Sequence, residues 1–325
     1  MPDGLEVTYF VNSGSEANDL ALTMARLYTG HFDVLALKNG YHGGGYSTMG
    51  LTGQHTWKLP LPQGHGVHHV DGPDAYRTAG DIDAAADIED TVRTSTPGQI
   101  AAFIAEPFQG VGGVTSGSAE YWQRAYETTR CYGGLCIADE VQTGFGRTGA
   151  HFWGFQNFGV VPDIVTTAKG IGNGVPLAAV TTRREIAQTL AQRLHFNTFG
   201  GNPVSMAQGL AVLDVIEAEG LQENSRVVGG YLKEGLVRLQ QEYPLIGDVR
   251  GKGLMLGVEL VRDRGTKEPA PEETVELLEV LRGMGVLVGK SGLFGNVVRI
   301  KPPMCISQED VEFLLGVLDL ALSEL

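Results

Sequence analysis

The sequence predicts an α/β fold, with a mostly parallel sheet in a large domain and a smaller α+β C-terminal domain. Short apolar runs alternate with helical patterns over most of the chain, which is typical of a parallel sheet covered on both faces. After about residue 217 the helical patterns become more charged and strand-like runs become fewer. We therefore expect two domains, residues 1–217 and residues 218–325.

The large domain is predicted to contain six strands, because six short runs are rich in apolar and β-branched residues. In chain order these are Val7–Val11, Val34–Leu37, Ala101–Ala105, Leu135–Ala138, Ile164–Thr167 and Leu177–Thr181. Apolar residues at helical spacing predict helices over Glu16–Tyr28, Ala119–Thr129 and Val204–Glu219. The alternation of the two kinds of element favours helices on both faces of the sheet.

The C-terminal domain is predicted from two strand-like runs and three amphipathic patterns. The strands are Leu254–Leu260 and Val297–Ile300. The helices are Val228–Tyr243, Pro271–Arg282 and Gln308–Leu325.

Composition excludes several classes of function. The 325 residues are 42% hydrophobic and 19% charged, so a large core is expected and disorder is not. The formal net charge is −14 with no basic run, which disfavours nucleic-acid and anionic-membrane partners. Cys131, Cys136 and Cys305 lack metal-ligand spacing and indicate a reducing compartment. No spanning segment or targeting peptide is expected.

Lys169 and Asp139 are the strongest candidates for chemistry. Each follows a buried strand, and ligands of open α/β sheets bind beyond the carboxyl ends of strands. Pyridoxal phosphate needs these two groups, a lysine for the Schiff base and an acid facing the pyridinium nitrogen. A solvated lysine and a turn-capping acid are the alternatives. Thr166, Thr167 and the glycines after Lys169 favour a mobile, desolvated amine.

Two glycine-containing segments could hold other parts of a ligand. Ser13 precedes a predicted helix with Glu16 three residues on, a capping-box pattern at a helix start that also attracts phosphate. Tyr41 and His42 lie beside Gly43, which would let an aromatic side chain approach a ring closely. An ordinary turn is the alternative for the second segment.

Arg299 lies in an apolar strand, where a guanidinium usually has a dedicated carboxylate partner. That carboxylate belongs either to the protein or to a substrate. The residues alone do not separate the two.

Two other patterns are misleading. Gly144 to Gly149 matches the dinucleotide fingerprint, which would make the chain a dehydrogenase, but the residues that follow make a poor helix. His65, His68 and His69 could suggest a metal, but we expect them in a solvated Gly/Pro-rich loop without a carboxylate cluster. We therefore expect no metal site.

Together these segments resemble the class III (subgroup II) aminotransferases of fold type I, over nearly the whole chain from about Val7. The segment Asn12 to Asn18 is similar to the family's phosphate-binding turn, and Thr166 to Gly170 to its Schiff-base lysine segment. The resemblance implies pyridoxal 5′-phosphate as cofactor, a homodimer, and catalytic roles for Lys169 and Asp139.

The resemblance also assigns the other site residues. Gly14 and Ser15 would supply N–H groups to the phosphate, and Thr198 would reach the phosphate of the neighbouring subunit. Tyr41 would stack on the cofactor ring, in the same segment as His42. Gln142 would lie near the ring hydroxyl, and Arg299 would bind the substrate α-carboxylate.

Among the subfamilies, the chain is similar to the alanine–glyoxylate aminotransferases, in stretches such as Asn39 to Gly43 and Gly253 to Leu260. Class III enzymes for ω-amines carry a glutamate after the Glu-Pro-x-Gln-Gly motif. Here that motif, Glu106 to Gly110, is followed by Val111. The resemblance therefore implies transfer of an amino group from L-alanine to glyoxylate.

Three alternatives stay open. The donor could be β-aminoisobutyrate or another ω-amino acid, or the chain could be a phospho-lyase of the same family. The family's substantial N-terminal region before the phosphate turn is expected to be missing here, which raises the possibility of a non-catalytic fragment or pseudoenzyme. Relatives imply a mitochondrial location, although no transit peptide is seen and the cytoplasm is the alternative.

Overall fold

A seven-stranded sheet forms the centre of the large domain in this computed structural model, which describes residues 1–78 and 84–325. Its spatial order is β1-β7-β6-β5-β4-β2-β3, and only β7 runs antiparallel to its neighbours. The strands in chain order are β1 Val7–Val11, β2 Val34–Leu37, β3 Val67–Val70, β4 Ala102–Ala105, β5 Leu135–Asp139, β6 Ile164–Thr167 and β7 Ala178–Thr182.

Helices cover both faces of this sheet. Successive residues of a strand point to opposite faces, and here the side chains on both faces are apolar and must be buried. Phe103, Ala105 and Cys136 face one hydrophobic cluster, whereas Ala102 and Ile104 face the other. The first cluster contains residues of α2 Ala84–Ser95 and α3 Ala119–Cys131, and the second contains residues of α1 Gly14–Thr29 and α4 Arg184–Ala191. α5 Pro203–Ala218 follows. The predicted mostly parallel α/β fold is confirmed.

A second, antiparallel sheet forms the C-terminal part of the chain. Its order is β10-β9-β12-β11, with β8 paired to β9. Its strands are β8 Ile246–Lys252, β9 Met255–Asp263, β10 Glu268–Pro269, β11 Gly289–Ser291 and β12 Val297–Ile300. Its helices are α6 Leu221–Glu242, α7 Pro271–Gly283 and α8 Gln308–Ser323. A hydrophobic cluster of its own joins these elements. We propose that the domain boundary lies between α5 and α6.

The structure differs from the predicted elements in a few places. His68 and His69 belong to the edge strand β3, paired in parallel with β2, and not to a solvated loop. That prediction was wrong because β-branched and apolar residues flank the two histidines. The helix expected from Val228 begins earlier, at Leu221. α2, α4 and β8 were not predicted.

The large sheet positions the candidate site at one edge. β4, β5 and β6 are parallel, so their carboxyl ends lie together, and Glu106, Asp139 and Lys169 occupy the ends of these strands. In the part of the chain that the structure describes, no helix has the length and apolar character needed to cross a membrane.

Candidate active site

A cavity of about 160 Å³ lies at the carboxyl ends of the central strands. The residues around it come from five separate segments of the sequence: Gly14, Ser15, Asn18, Tyr41, His42, Gly43, Glu106, Asp139, Val141, Gln142 and Lys169. A larger cavity of about 660 Å³ shares Val141, Gln142 and Lys169 with it. Residues distant in the sequence therefore converge on one place.

Asp139 is held rigidly in the smaller cavity. Its side chain is 3% exposed, and Oδ2 accepts hydrogen bonds from Asn18 Nδ2 at 2.8 Å and pairs with His42 Nδ1 at 2.8 Å. Oδ1 accepts the backbone N–H of Val141 at 3.1 Å. Among the described residues no arginine or lysine pairs with Asp139, and the buried His42 lies against its carboxylate.

Lys169 lies between the two cavities. It follows β6 and begins a short 3-10 helix, and its backbone is left-handed with φ 46°. The side chain is exposed, so the expectation of a desolvated amine was wrong for this chain as it stands. Gly170 follows directly, and a Cβ there would lie 3.7 Å from the ring of Phe145. The lysine can thus reach into either cavity.

The start of α1 forms another wall of the smaller cavity. The Ser13 hydroxyl accepts the Glu16 N–H at 3.2 Å and caps the helix. The return bond of a capping box is not formed with Ser13, since the Glu16 carboxylate accepts the Asn12 N–H instead, at 3.1 Å. Gly14 and Ser15 carry N–H groups of the first helical turn, where no intrahelical acceptor exists. These groups favour an anion.

The backbone geometry at position 43 explains why a glycine follows Tyr41 and His42. Its φ is 121°, and a Cβ there would lie 2.4 Å from the Ser15 hydroxyl oxygen. Any side chain would push this segment away from the helix start. The glycine therefore closes the cavity between the two segments.

Tyr41 lines the cavity, and its ring packs edge-on to Trp57 at 5.1 Å between centroids. Its backbone N–H donates to the Glu106 carboxylate at 2.9 Å, and Gly110 N–H donates to the other oxygen at 2.9 Å. Burial raises the pKa of Glu106, and Asp139 raises it further, although His42 opposes the shift. Glu106 thus positions the Tyr41 segment from inside the core.

Arg299 lies on β12 and is partly buried. Its guanidinium donates to the Gly110 carbonyl at 3.4 Å, next to Val111. Burial lowers the pKa of Arg299, and the nearby Glu106 opposes that shift. Among the described residues it forms no ion pair with a carboxylate. The carboxylate partner that its position requires is therefore a candidate for the substrate.

Thr198 does not line either cavity and is exposed. The neighbouring Asn197 is anchored, since its amide donates to Glu16 at 3.1 Å and accepts from Asn12 at 3.0 Å. The segment therefore starts beside α1 and presents Thr198 outward.

Three residues of the site were not singled out from the sequence. Asn18 was quoted only as part of a motif, Glu106 only as part of another, and Lys301 not as a functional residue. A polar residue on the apolar face of α1 could have identified Asn18, because buried polar groups need partners. Lys301 lies two residues after Arg299 and lines the larger cavity.

The misleading patterns have structural explanations. Residues 144 to 149 form turns with no α-helix after them, so the fingerprint does not bind a dinucleotide in the expected way. His68 pairs with Asp33 at 2.8 Å and His69 contacts the Leu51 carbonyl at 3.3 Å. Within residues 1–78 and 84–325, no group of three histidines, cysteines or acids is placed to hold a metal ion. All three cysteines are free.

Comparison with known proteins places the chain in a family. The model for aminotransferase class-III matches residues 1–322. Alanine–glyoxylate aminotransferase 2 homolog 2, mitochondrial, from Arabidopsis thaliana is 54% identical over 100% of this chain and 68% of its own length. The human alanine–glyoxylate aminotransferase 2, mitochondrial, is 46% identical with the same coverage. A PLP-bound amine transaminase from an uncultivated Pseudomonas species superposes with a TM-score of 0.91 at 35% identity, covering 98% of this chain and 76% of that one.

Proposed function

The chain belongs to the class III aminotransferases, and on this premise we propose that it transfers an amino group from L-alanine to glyoxylate. Pyruvate and glycine are the products. Pyridoxal 5′-phosphate is the cofactor of the enzyme. The observation that carries the proposal is the convergence of Lys169 and Asp139 on one cavity.

The residues of the cavity fit this cofactor. Asp139 Oδ1 accepts a single backbone bond, which leaves it able to accept another from a ring N–H in the cavity that it lines. Gly14 and Ser15 offer N–H groups to the phosphate at the positive end of α1. Tyr41, His42 and Gln142 line the remaining walls, and Tyr41 is the aromatic residue that would stack on the ring.

When bound, pyridoxal phosphate forms a covalent link to an amine and withdraws electrons from the substrate α-carbon. Lys169 is the residue that would carry the cofactor between turnovers. With its amine freed by a substrate amine, Lys169 would be the base that removes the substrate α-proton and the acid that later returns it. Lys169 lines both cavities, which would give its amine room for this movement.

Asp139 would keep the ring nitrogen protonated. Its carboxylate is 3% exposed, and a buried carboxylate is stabilised by a cationic ring N–H that pairs with it. Asn18 and His42 occupy one oxygen, which fixes the orientation of the other oxygen toward the ring. A protonated ring accepts negative charge from the substrate more readily.

Arg299 would bind the substrate carboxylate. Its guanidinium contacts Gly110, the residue before Val111. Valine cannot neutralise the arginine, as the glutamate of the ω-amine enzymes would. The charge of Arg299 stays available, which favours small α-amino and 2-oxo acids.

We further propose that the active form is a homodimer and that Thr198 of each chain contacts the phosphate in the neighbouring site. The exposed position of Thr198 on an anchored segment supports this role. The mitochondrial names of the relatives support a mitochondrial location.

Replacement of Lys169 by alanine tests the function. We expect the purified wild type to show the visible absorbance of lysine-bound cofactor, and L-alanine to bleach it. Lys169→Ala should lose that absorbance and at least roughly 1,000-fold in turnover, since a covalent and a proton-transfer role are lost together. Lys252→Ala, at an exposed lysine of β8, is the control and should retain both properties. Normal turnover by Lys169→Ala would refute the assignment.

A further inference from the structure

The larger cavity contains positive charge that the proposed mechanism does not use. Arg147 and Lys301 line this space of about 660 Å³ together with Lys169, which the mechanism does use. Gly14 and Ser15 line only the smaller cavity, so the cofactor phosphate is expected away from these cations. The chain as a whole has a formal net charge of −14, which makes a cationic cavity unusual for it.

Lys301 lies at the site, just beyond the end of β12. Val298 and Ile300 pack into the hydrophobic cluster of the C-terminal domain. Successive residues of a strand point to opposite faces, so Arg299 leaves the other face of β12, and Lys301 directly follows the end of the strand. Lys301 Nζ donates to Gln142 Oε1 at 3.0 Å, which places the amine beside a residue shared by both cavities.

None of these cations is neutralised by an ion pair within the described part of the chain. Arg147 donates to the carbonyls of Leu254 at 3.1 Å and Pro302 at 2.9 Å. Arg299 donates to a carbonyl and Lys301 to an amide oxygen. Arg147 and Arg299 are partly buried without a counter-ion among the described residues, and burial of such charges favours an anion beside them.

Burial lowers the pKa of Lys301 from its ordinary value to about 6, together with the charges of Arg147, Lys169 and Arg299. Glu106 is the carboxylate that opposes this shift, and it is itself buried. Glu219 and Cys305 also line the cavity, and no ion pair joins either of them to Lys301. Lys301 is therefore largely neutral at pH 7 while the cavity holds no anion.

We propose that Lys301 is a second carboxylate-binding residue of this active site, which becomes protonated as a substrate carboxylate enters and so selects amino and 2-oxo acids over plain amines. The proposal rests on the proposed function. A carboxylate beside Lys301 in the larger cavity supplies a counter-charge, and an adjacent anion favours the protonated amine. Arg299 lines neither cavity, but it is close enough for its charge to lower the pKa of Lys301. The proton comes from solvent, and no covalent bond forms or breaks in this step.

The pH dependence follows with a definite sign. The carboxylate binds the protonated amine, and the free enzyme loses that form as the pH rises above about 6. The KM for glyoxylate should therefore rise by up to about tenfold per pH unit above this value, until the higher pKa of the complex is reached. Arginine does not titrate in this range, so Lys301→Arg should show a KM that stays level with pH.

The experiment compares wild type, Lys301→Met and Lys301→Arg as holoenzymes between pH 6 and 8.5. At pH 6.5, Lys301→Met should raise the KM for glyoxylate and for L-alanine roughly 10- to 100-fold, as expected for loss of a charged hydrogen bond. Its kcat/KM for isopropylamine, which has no carboxylate, should stay within about twofold of the wild type. Lys290→Met, at an exposed lysine of β11, is the matched control and should change neither value.

Propionate binding gives a readout that does not depend on turnover. Calorimetry in two buffers of different ionisation enthalpy should show proton uptake with the wild type at pH 7 and none with Lys301→Met. The proposal would be overturned if the wild type and Lys301→Met took up the same number of protons. It would also be overturned if Lys301→Met had the same KM for glyoxylate as the wild type and the same dependence of that KM on pH. Absence of cofactor absorbance in the wild type would instead count against the proposed function, and the propionate result would still decide the role of Lys301.

Discussion

At the scale of single residues, Asn18 connects the candidate cofactor site to the sheet. It lies on the buried face of α1 and is 1% exposed. Its amide donates to Asp139 at 2.8 Å and to the His42 carbonyl at 2.9 Å, and its oxygen accepts the Thr166 hydroxyl at 2.7 Å. One side chain thereby connects α1 to β5, to β6 and to the segment that contains His42.

Replacing Asn18 by alanine should destabilise the protein and weaken cofactor binding together. Three buried hydrogen bonds are lost and the carboxylate of Asp139 loses a donor, so we expect a loss of about 2 to 4 kcal/mol in the free energy of unfolding. Urea denaturation measures this loss, and titration of the apoenzyme with pyridoxal phosphate measures the affinity.

Thr166→Val is the matched control for Asn18→Ala. It removes only the hydrogen bond from the Thr166 hydroxyl to Asn18 and leaves the bond from Asn18 to Asp139 intact. Its effect on stability should therefore be smaller, and the affinity for the cofactor should change little. If the midpoint of urea unfolding were the same for Asn18→Ala and the wild type, the hydrogen bonds of Asn18 would not contribute to the stability of the fold.

Site residues could be predicted from the sequence where they directly follow a recognisable strand. Lys169 and Asp139 follow apolar runs, so their convergence at the sheet edge was predictable from strand geometry. Asn18 and Lys301 depend on long-range packing, and their partners Asp139 and Gln142 are 121 and 159 positions away in the chain. No local pattern in a single sequence encodes such pairs.

At the scale of elements, a buried acid joins β5 to the short 3-10 helix Gly154–Phe158. The Glu140 carboxylate accepts the backbone N–H groups of Gly154 at 2.9 Å and Phe155 at 2.8 Å, and also the Thr143 hydroxyl at 2.6 Å. It therefore caps the helix start from a separate strand end. Burial raises the pKa of Glu140 to about 7, although these three hydrogen bonds oppose the shift.

This raised pKa predicts a fall in stability with rising pH. The folded protein binds the Glu140 proton more tightly than the unfolded chain does, so the favourable contribution is complete below the unfolded value near 4.5 and is lost as the pH passes about 7. Glu140→Gln cannot ionise and should reduce this fall by up to roughly 3 kcal/mol, at 1.36 kcal/mol per pKa unit. Urea unfolding at pH 5.5, 7 and 8.5 measures it.

Glu120→Gln, at an exposed acid in the first turn of α3, is the control. It should leave the pH profile of stability as in the wild type. A Glu140→Gln profile that is parallel to the wild type would mean that Glu140 does not titrate between these pH values.

Elements that the sequence did not reveal are short or polar. β3 contains only Val67–Val70 and includes two histidines, so its apolar signal is weak. α4 has eight residues, of which only Ile186, Ala187 and Leu190 are buried. In β8, the residues Gly247, Asp248 and Gly251 interrupt the pattern, and pairing with β9 stabilises the strand instead.

At the scale of the whole molecule, α5 has more apolar surface than a single chain covers. Val204 is 73% exposed and Leu210 is 61% exposed. The exposed Phe199 precedes this helix. A helix that is apolar all round is normally buried, which explains why no single apolar face could be recognised in its sequence. We propose that a second copy of the chain covers this surface and brings Thr198 toward the neighbouring site.

Subunit complementation tests both parts of this arrangement. Thr198→Asp should repel the cofactor phosphate and Lys169→Ala removes the reactive amine, so each variant alone should be inactive. If Thr198 acts across the interface, co-expressed chains should recover roughly a quarter of the wild-type activity, because half of randomly assorted dimers are mixed and each contains one intact site. If Thr198 acts within its own chain, no site is intact in any dimer and activity should not return.

The control introduces Leu210→Asp into both chains of the complementing pair. A charge on the apolar surface of α5 should prevent association, so sedimentation should show monomers and the recovered activity should disappear. Leu320→Asp, at a residue of α8 that is 60% exposed, changes a side chain of similar exposure outside this surface. It should leave both the dimer and the complementation unchanged, and loss of the dimer in that variant would remove the case for α5 as the interface.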